Sequence, residues 1–164
     1  ALPHARAIDK VVNTGDLLLF DFGAEIHGSC SDVTRTVVIG RASDAQREIY
    51  DIVRVANERA SAGVRAEMTG KDADAIARDY IAAHGFGDDF GHSLGHGIGL
   101  EEHEDPYIVA GNDLTLEPGM CFSIEPGIYS AGRHGARIED IVVVTADGVE
   151  RLDTIDRDLV TLGS

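Results

Sequence analysis

The sequence predicts an α+β domain in the order strand pair, two helices, strand pair. Three observations predict it. Two stretches near the start, LLLFDF (17–22) and SCSDVTRTVVI (29–39), carry the apolar, β-branched and aromatic residues of strands. Two central stretches repeat apolar residues at helical spacing behind capping signals. Two more strand-like stretches, EPGMCFSIEPGIYS (117–130) and RIEDIVVVT (137–145), follow.

The elements can be justified in turn. LLLFDF reads as a buried strand with one acid inside it. AEIHG (24–28) reads as a turn, so the first two strands form a hairpin centred between Ile26 and His27. Ser43 with Gln46 is a capping box. Behind it Ile49, Ile52, Val53, Ala56 and Ala60 make one helical face, and Gly63 is a stop signal. A second helix follows Thr69, with Asp72 at its third position. Ala73, Ile76, Ala77, Tyr80 and Ile81 form its apolar face, and Gly85 ends it. Pro126-Gly127 closes the next strand, and Asp147-Gly148 marks the turn after the last.

With 164 residues the chain can bury a sizeable core. Its 29 acids against 14 bases give a formal charge of −15, which argues against nucleic acid or an anionic membrane as partner. No apolar run approaches the ~18 residues of a membrane span. Cys30 and Cys121 form no CxxC pattern and no disulfide framework, so a reducing, cytoplasmic setting is expected. Gly70-Lys71 is not a phosphate loop, because Asp72 stands where Ser or Thr would be needed. Glu101, Glu102, Glu104 and Asp105 read as a solvated loop. Arg35 reads as a surface charge, whereas Arg137 shares a strand face with Glu139 and is placed to orient a carboxylate.

Acids inside apolar strands need an explanation, since buried carboxylates are costly unless paired or metal-bound. Four segments hold one: Asp21, Asp32, Glu125 and Glu139. Asp21 and Asp32 are equidistant from the first expected turn, and Glu125 and Glu139 from Gly132. Regular hairpins would set each pair face to face. Two such pairs in one pocket would repel and take up protons unless divalent cations balanced them.

GHSLGHGIGLEEHE (91–104) adds His92, His96 and His103. HSLGH has the spacing of a zinc-protease helix motif, but Ser93 replaces the catalytic Glu, and four glycines in residues 91–99 oppose a helix. As extended chain, His92, Leu94, His96 and Ile98 share one side. The glycines on the other side admit a neighbouring backbone. Three histidines can then enter one cavity, one as ligand and the others for hydrogen bonding or proton transfer. Oxygen donors with one imidazole suit Mn²⁺, Co²⁺, Zn²⁺ or Fe²⁺ better than Ca²⁺ or Mg²⁺.

Five motifs now stand together: ALPHAR (1–6), GDLLLFDFGAEIHGSCSDVTRT (15–36), GHSLGHGIGLEEHEDP (91–106), LEPGMCFSIEPGIY (116–129) and GARIEDIVVVT (135–145). Together they resemble the pita-bread metallopeptidases, which include prolidase, aminopeptidase P and methionine aminopeptidase. The resemblance implies the pita-bread (creatinase/aminopeptidase-like) fold, a curved antiparallel sheet with helices outside. It implies two divalent metal ions, Mn²⁺ first among the candidates. Asp21 would chelate one metal, His96 and Glu125 the other, and Asp32 and Glu139 would bridge them. His92 and His103 would be the substrate-binding and transition-state histidines, and Glu125 the proton shuttle. His4 would lie near the pocket for the residue after the cleaved bond, and Arg137 would be the arginine of the proline-specific branch. ALPHAR, GLEEHEDP and IEPGIY favour that branch, so the expected partner is a peptide with proline second, cleaved at the Xaa-Pro bond. The pattern is compatible with a homodimer. Residues 1–164 would form the catalytic domain without its first helices and strand and without an N-terminal domain. The alternatives are a non-catalytic peptide- or protein-binding module and a methionine aminopeptidase.

Overall fold

The computed structural model describes residues 1–4 and 7–163. β1 (Leu17–Ile26) and β2 (Ser29–Ile39) form the expected antiparallel hairpin. Its turn is His27-Gly28, with φ of 53° and 80°, the left-handed values that a tight two-residue hairpin loop needs. That turn lies one residue beyond the expected centre. Asp21 therefore faces Thr34, and Asp32 faces Gly23. The two acids are diagonal rather than opposite, but the shift is even, so both keep the same face. β1 is not the buried strand expected. It forms one edge of a sheet ordered β1-β2-β10, where β10 is Val160–Leu162. Among the described residues only β2 pairs with it, and Phe20 and Phe22 are 43% and 53% exposed.

α1 (Asp44–Gly63) starts on the predicted box: Ser43 Oγ accepts from the Gln46 N–H, and Gln46 Oε1 accepts from the Ser43 N–H. α2 (Gly70–Ala83) starts on the same device, built from Thr69 and Asp72. Their apolar faces share one core: Val53, Ala56 and Ala60 from α1 cluster with Ala73, Ala77 and Ile81 from α2. Phe122, Ile124, Ile138 and Val142 complete that cluster from the sheet side.

The glycine-rich stretch contributes β3 (Gly95–Gly97), between β4 (Glu104–Ile108) and β5 (Cys121–Ile124). β8 (Asp140–Val144) and β9 (Val149–Arg151) extend this sheet in the order β4-β3-β5-β8-β9. Glu104 and Asp105 thus belong to a strand rather than a solvated loop, because backbone pairing of Glu104 with Gly97 leaves room for their charges at the surface. Leu94 leaves the histidine side and joins the hydrophobic core. The two last predicted strands are each cut in two. β6 (Gly127–Ser130) and β7 (His134–Arg137) form a separate two-stranded ladder. Its register, Gly127 opposite Arg137, continues that of β5 and β8, where Ile124 faces Asp140. The break falls where Pro126, which has no N–H, would have to donate. Glu125 and Glu139 lie in this break rather than inside strands, and Glu139 forms an isolated bridge to Thr34 of β2.

A Cβ on Gly95 would stand 1.8 Å from the Ser123 carbonyl oxygen, and one on Gly97 2.3 Å from that of Asp105. These obstacles are backbone atoms that cannot turn aside. Gly95→Ala should therefore destabilise the fold by about 2 kcal/mol or more in urea unfolding. An unchanged midpoint would contradict the packing of β3 described above.

Candidate metal centre

β2, β3 and the ladder break bring three predicted ligands together. One ligand atom each from Asp32, His96 and Glu139 lies within 4.8 Å of the others, a spacing that can hold a metal ion. Glu125 joins through His96, whose Nε2 is 3.3 Å from Glu125 Oε1 and 3.9 Å from Asp32 Oδ2. His96 Nδ1 lies 3.1 Å from the Gly97 carbonyl oxygen, which only accepts, so Nδ1 carries the proton. The Nε2 lone pair of the neutral ring then faces carboxylate oxygens. Such a contact is unfavourable unless a proton or cation lies between.

The carboxylates carry the same stress. Burial, with the charge of Asp21, pushes Asp32 up to about 6. Burial and the Asp32 charge raise Glu125 to about 7 against the pull of Arg137. Burial, then the charges of Glu125 and Asp32, raise Glu139 to about 9. Three oxygen-bearing residues and one imidazole nitrogen fit a divalent transition ion.

Asp21 stands apart from this group. Its side chain is 46% exposed, and Arg137 Nη2 donates to its Oδ2. Arg137 is 2% exposed and orients a carboxylate, as expected from its strand face, and that carboxylate is Asp21. It also donates to Thr34 Oγ1 at 3.2 Å and to the Tyr129 hydroxyl at 3.0 Å.

Of the other histidines, His92 is pressed edge-on against Phe90 and pushed down to about 4, by burial and then by Arg137. Its Nδ1 is 2.8 Å from the Ser93 carbonyl and must donate. Its Nε2 therefore accepts from the Tyr129 hydroxyl at 3.0 Å. A directed chain runs Arg137 to Tyr129 to His92 to the Ser93 carbonyl. Its backbone is anchored from α2: Arg78 donates to the carbonyls of Phe90 and His92, and Asp74 holds both Arg78 and the Leu94 N–H. His103 is exposed, with its ring 3.9 Å from that of His96. His4 is exposed, its ring 6.2 Å from that of His92.

Two residues that hold the site acids escaped the sequence reading. Thr34 Oγ1 donates to Glu139 Oε2 at 2.5 Å. Ser123 Oγ donates to Glu125 Oε1 at 3.0 Å and accepts from the His96 N–H. Each stands two residues from a site acid, Thr34 after Asp32 and Ser123 before Glu125, so strand parity could have found them. Arg35 is not a surface charge. It is 8% exposed and donates to the Thr34 and Glu139 carbonyls and to Asp140. Burial opposes a charged Asp140, but Arg35 and Arg157 hold it below the ordinary carboxylate range. No local sequence signal marks that pairing, which spans more than a hundred residues.

With the geometry in view, the chain matches the model of metallopeptidase family M24 over residues 1–146 and belongs to that family. The Xaa-Pro dipeptidase of Pyrococcus furiosus is 48% identical over 159 residues, which are 97% of this chain and 46% of that protein. The solved Xaa-Pro dipeptidase from Bacillus anthracis is 50% identical, with a TM-score of 0.97 over 98% of this chain and 45% of that one. The X-Pro aminopeptidase from Thermotoga maritima is 48% identical, with a TM-score of 0.96 over 98% and 46%. The chain spans about half the length of the curated relatives it matches. The shared architecture is the pita-bread fold, here a mixed α+β arrangement of mostly antiparallel sheets and two helices. No helix among the described residues is long and apolar enough to cross a membrane.

Glu125 and Glu139 hold protons in the fold that they would release when unfolded, since their folded values exceed the unfolded one. Stability therefore falls as pH rises from the ordinary carboxylate range toward the raised values. Glu139 is raised further than Glu125 and so contributes most at the alkaline end of this range. In chelator, the melting temperature should drop between about pH 7.5 and 9. Glu139→Gln should flatten that drop, and a flat profile for the unaltered chain would contradict the buried repulsion.

Proposed function

We propose that this chain carries the metal-binding part of a peptidase site that hydrolyses the Xaa-Pro bond, in dipeptides or at peptide N-termini. The observation that carries the proposal is the convergence of Asp32, His96 and Glu139 on one buried point, with Glu125 against His96. The likeness to Xaa-Pro dipeptidases and an X-Pro aminopeptidase supports the substrate class.

In this reading Asp21, Asp32, His96, Glu125 and Glu139 hold two divalent ions, Mn²⁺ first among them. Such ions supply Lewis-acid polarisation of the scissile carbonyl and an acidified water. The residues do the rest. Thr34 and Ser123 each fix one oxygen of Glu139 and Glu125, which sets the direction of the free oxygens. Glu125, beside His96 and with one oxygen held by Ser123, would take a proton and pass it to the leaving nitrogen. Arg137 donates to Asp21 and so sets the direction of its carboxylate. His92 has both ring nitrogens engaged, by the Ser93 carbonyl and the Tyr129 hydroxyl, so it would accept from a substrate N–H only in exchange for the Tyr129 bond. His103, exposed beside His96, is available to the developing oxyanion. His4, its ring 6.2 Å from that of His92, would stand near the pocket for the proline residue.

The test is a peptide competition read by mass spectrometry. Mn²⁺-loaded protein is incubated with Xaa-Pro, Xaa-Pro-Yaa and Met-Ala-Yaa peptides, beside a chelated control. A proline peptide should be consumed only with metal. Asp32→Ala or His96→Ala should lower that rate at least a hundredfold, in line with losing a group on which transition-state stabilisation depends. Consumption of the methionine peptide instead, full activity of either variant, or no cleavage would each contradict the proposal.

A further inference from the structure

Asn57 is a buried polar residue that the site as described does not use. It lies on the apolar face of α1 beside Val53, Ala56 and Ala60, and it is 0% exposed. Its Oδ1 is buried and has no partner among the described residues. A buried amide with half its capacity unmet needs a compensating role.

Its Nδ2 supplies one. It donates to the carbonyl of Ile124 at 2.8 Å and to that of Ile138 at 3.3 Å. These residues immediately precede Glu125 and Glu139, on the two sides of the ladder break. The Ile138 N–H still reaches the Pro126 carbonyl at 3.4 Å, but Pro126 has no N–H to return to the Ile138 carbonyl. The N–H groups of Glu125 and Glu139 are also drawn outward, to the carbonyls of Leu94 and Thr34. The two strands therefore separate just where the glutamates emerge. The Asn57 amide is the donor that spans them.

We infer that Asn57 is a positioning residue for the metal centre, setting the spacing of Glu125 and Glu139 through the carbonyl that precedes each. The inference rests on the reading of these glutamates as cation ligands. Pro126 opens the ladder so that both side chains turn toward the site, and Asn57 satisfies the carbonyl left without a partner and fixes the width of the gap. Leucine at 57 would fill similar space without either donor. Alanine would remove the donors and the bulk.

The experiment is titration calorimetry with Mn²⁺ on the full chain and on Asn57→Leu, Asn57→Ala and Val53→Ala, each with its melting temperature in chelator. Val53 is a fully buried neighbour on the same helix whose side chain has no hydrogen-bond donor for either carbonyl, so Val53→Ala reports what loss of core packing alone does. Both Asn57 variants should bind Mn²⁺ roughly ten- to a hundredfold more weakly, the usual effect of removing a group that orients a ligand. Val53→Ala should stay near the parent affinity despite its lower melting temperature. Asn57 variants that bind like the parent, or a Val53→Ala loss as large as theirs, would overturn the inference. A parent chain that binds no Mn²⁺ would instead remove the reading beneath it.

Discussion

Asp32, Glu125 and Glu139 bring three carboxylates into a space where burial and mutual repulsion raise all of them. The lone pair of His96 is aimed into the same space. The surrounding structure exists to sustain this arrangement. Glycines at 95 and 97 let β3 lie against the Ser123 and Asp105 backbones, which brings His96 to the acids. Pro126 breaks a ladder whose register is otherwise continuous, which frees Glu125 and Glu139 from the sheet. Thr34, Ser123 and Arg137 then use up the oxygens and directions that the site leaves over.

A second buried cluster backs the first. Arg35 ties the Thr34 and Glu139 carbonyls to Asp140, and Arg157 closes on the other oxygen of Asp140. Here opposite charges are matched and well bonded, so burial is tolerated. In the metal centre like charges are gathered, and burial is tolerated only with protons or cations present. The chain thus treats neighbouring acids differently: Arg35 and Arg157 hold Asp140 below the ordinary carboxylate range, while burial and like charges push Glu139, the preceding residue, up to about 9.

Much of this was legible in the sequence. Both helices start on the boxes formed by Ser43 with Gln46 and Thr69 with Asp72, because capping is a local interaction. The four acids set in apolar, strand-like sequence and the glycine-histidine segment marked the site for the opposite reason: each breaks a local rule without a local gain. What could not be read was non-local. The His27-Gly28 turn moved the first register by two residues, since turn geometry rather than apolar pattern fixed it. β1 reads as buried by composition, yet one of its edges has no described neighbour, and composition does not report neighbours. Arg35 and Asn57 look like ordinary strand and helix residues until the backbone carbonyls they serve are known.

The most direct test of the account is an anomalous-scattering map from a Mn²⁺-soaked crystal of this chain. The account predicts two peaks about 3.5–4 Å apart, within reach of Asp32, His96, Glu125 and Glu139, with Asp21 turned to the outer one. No peak there, with the carboxylates instead paired directly to one another through shared protons, would contradict it.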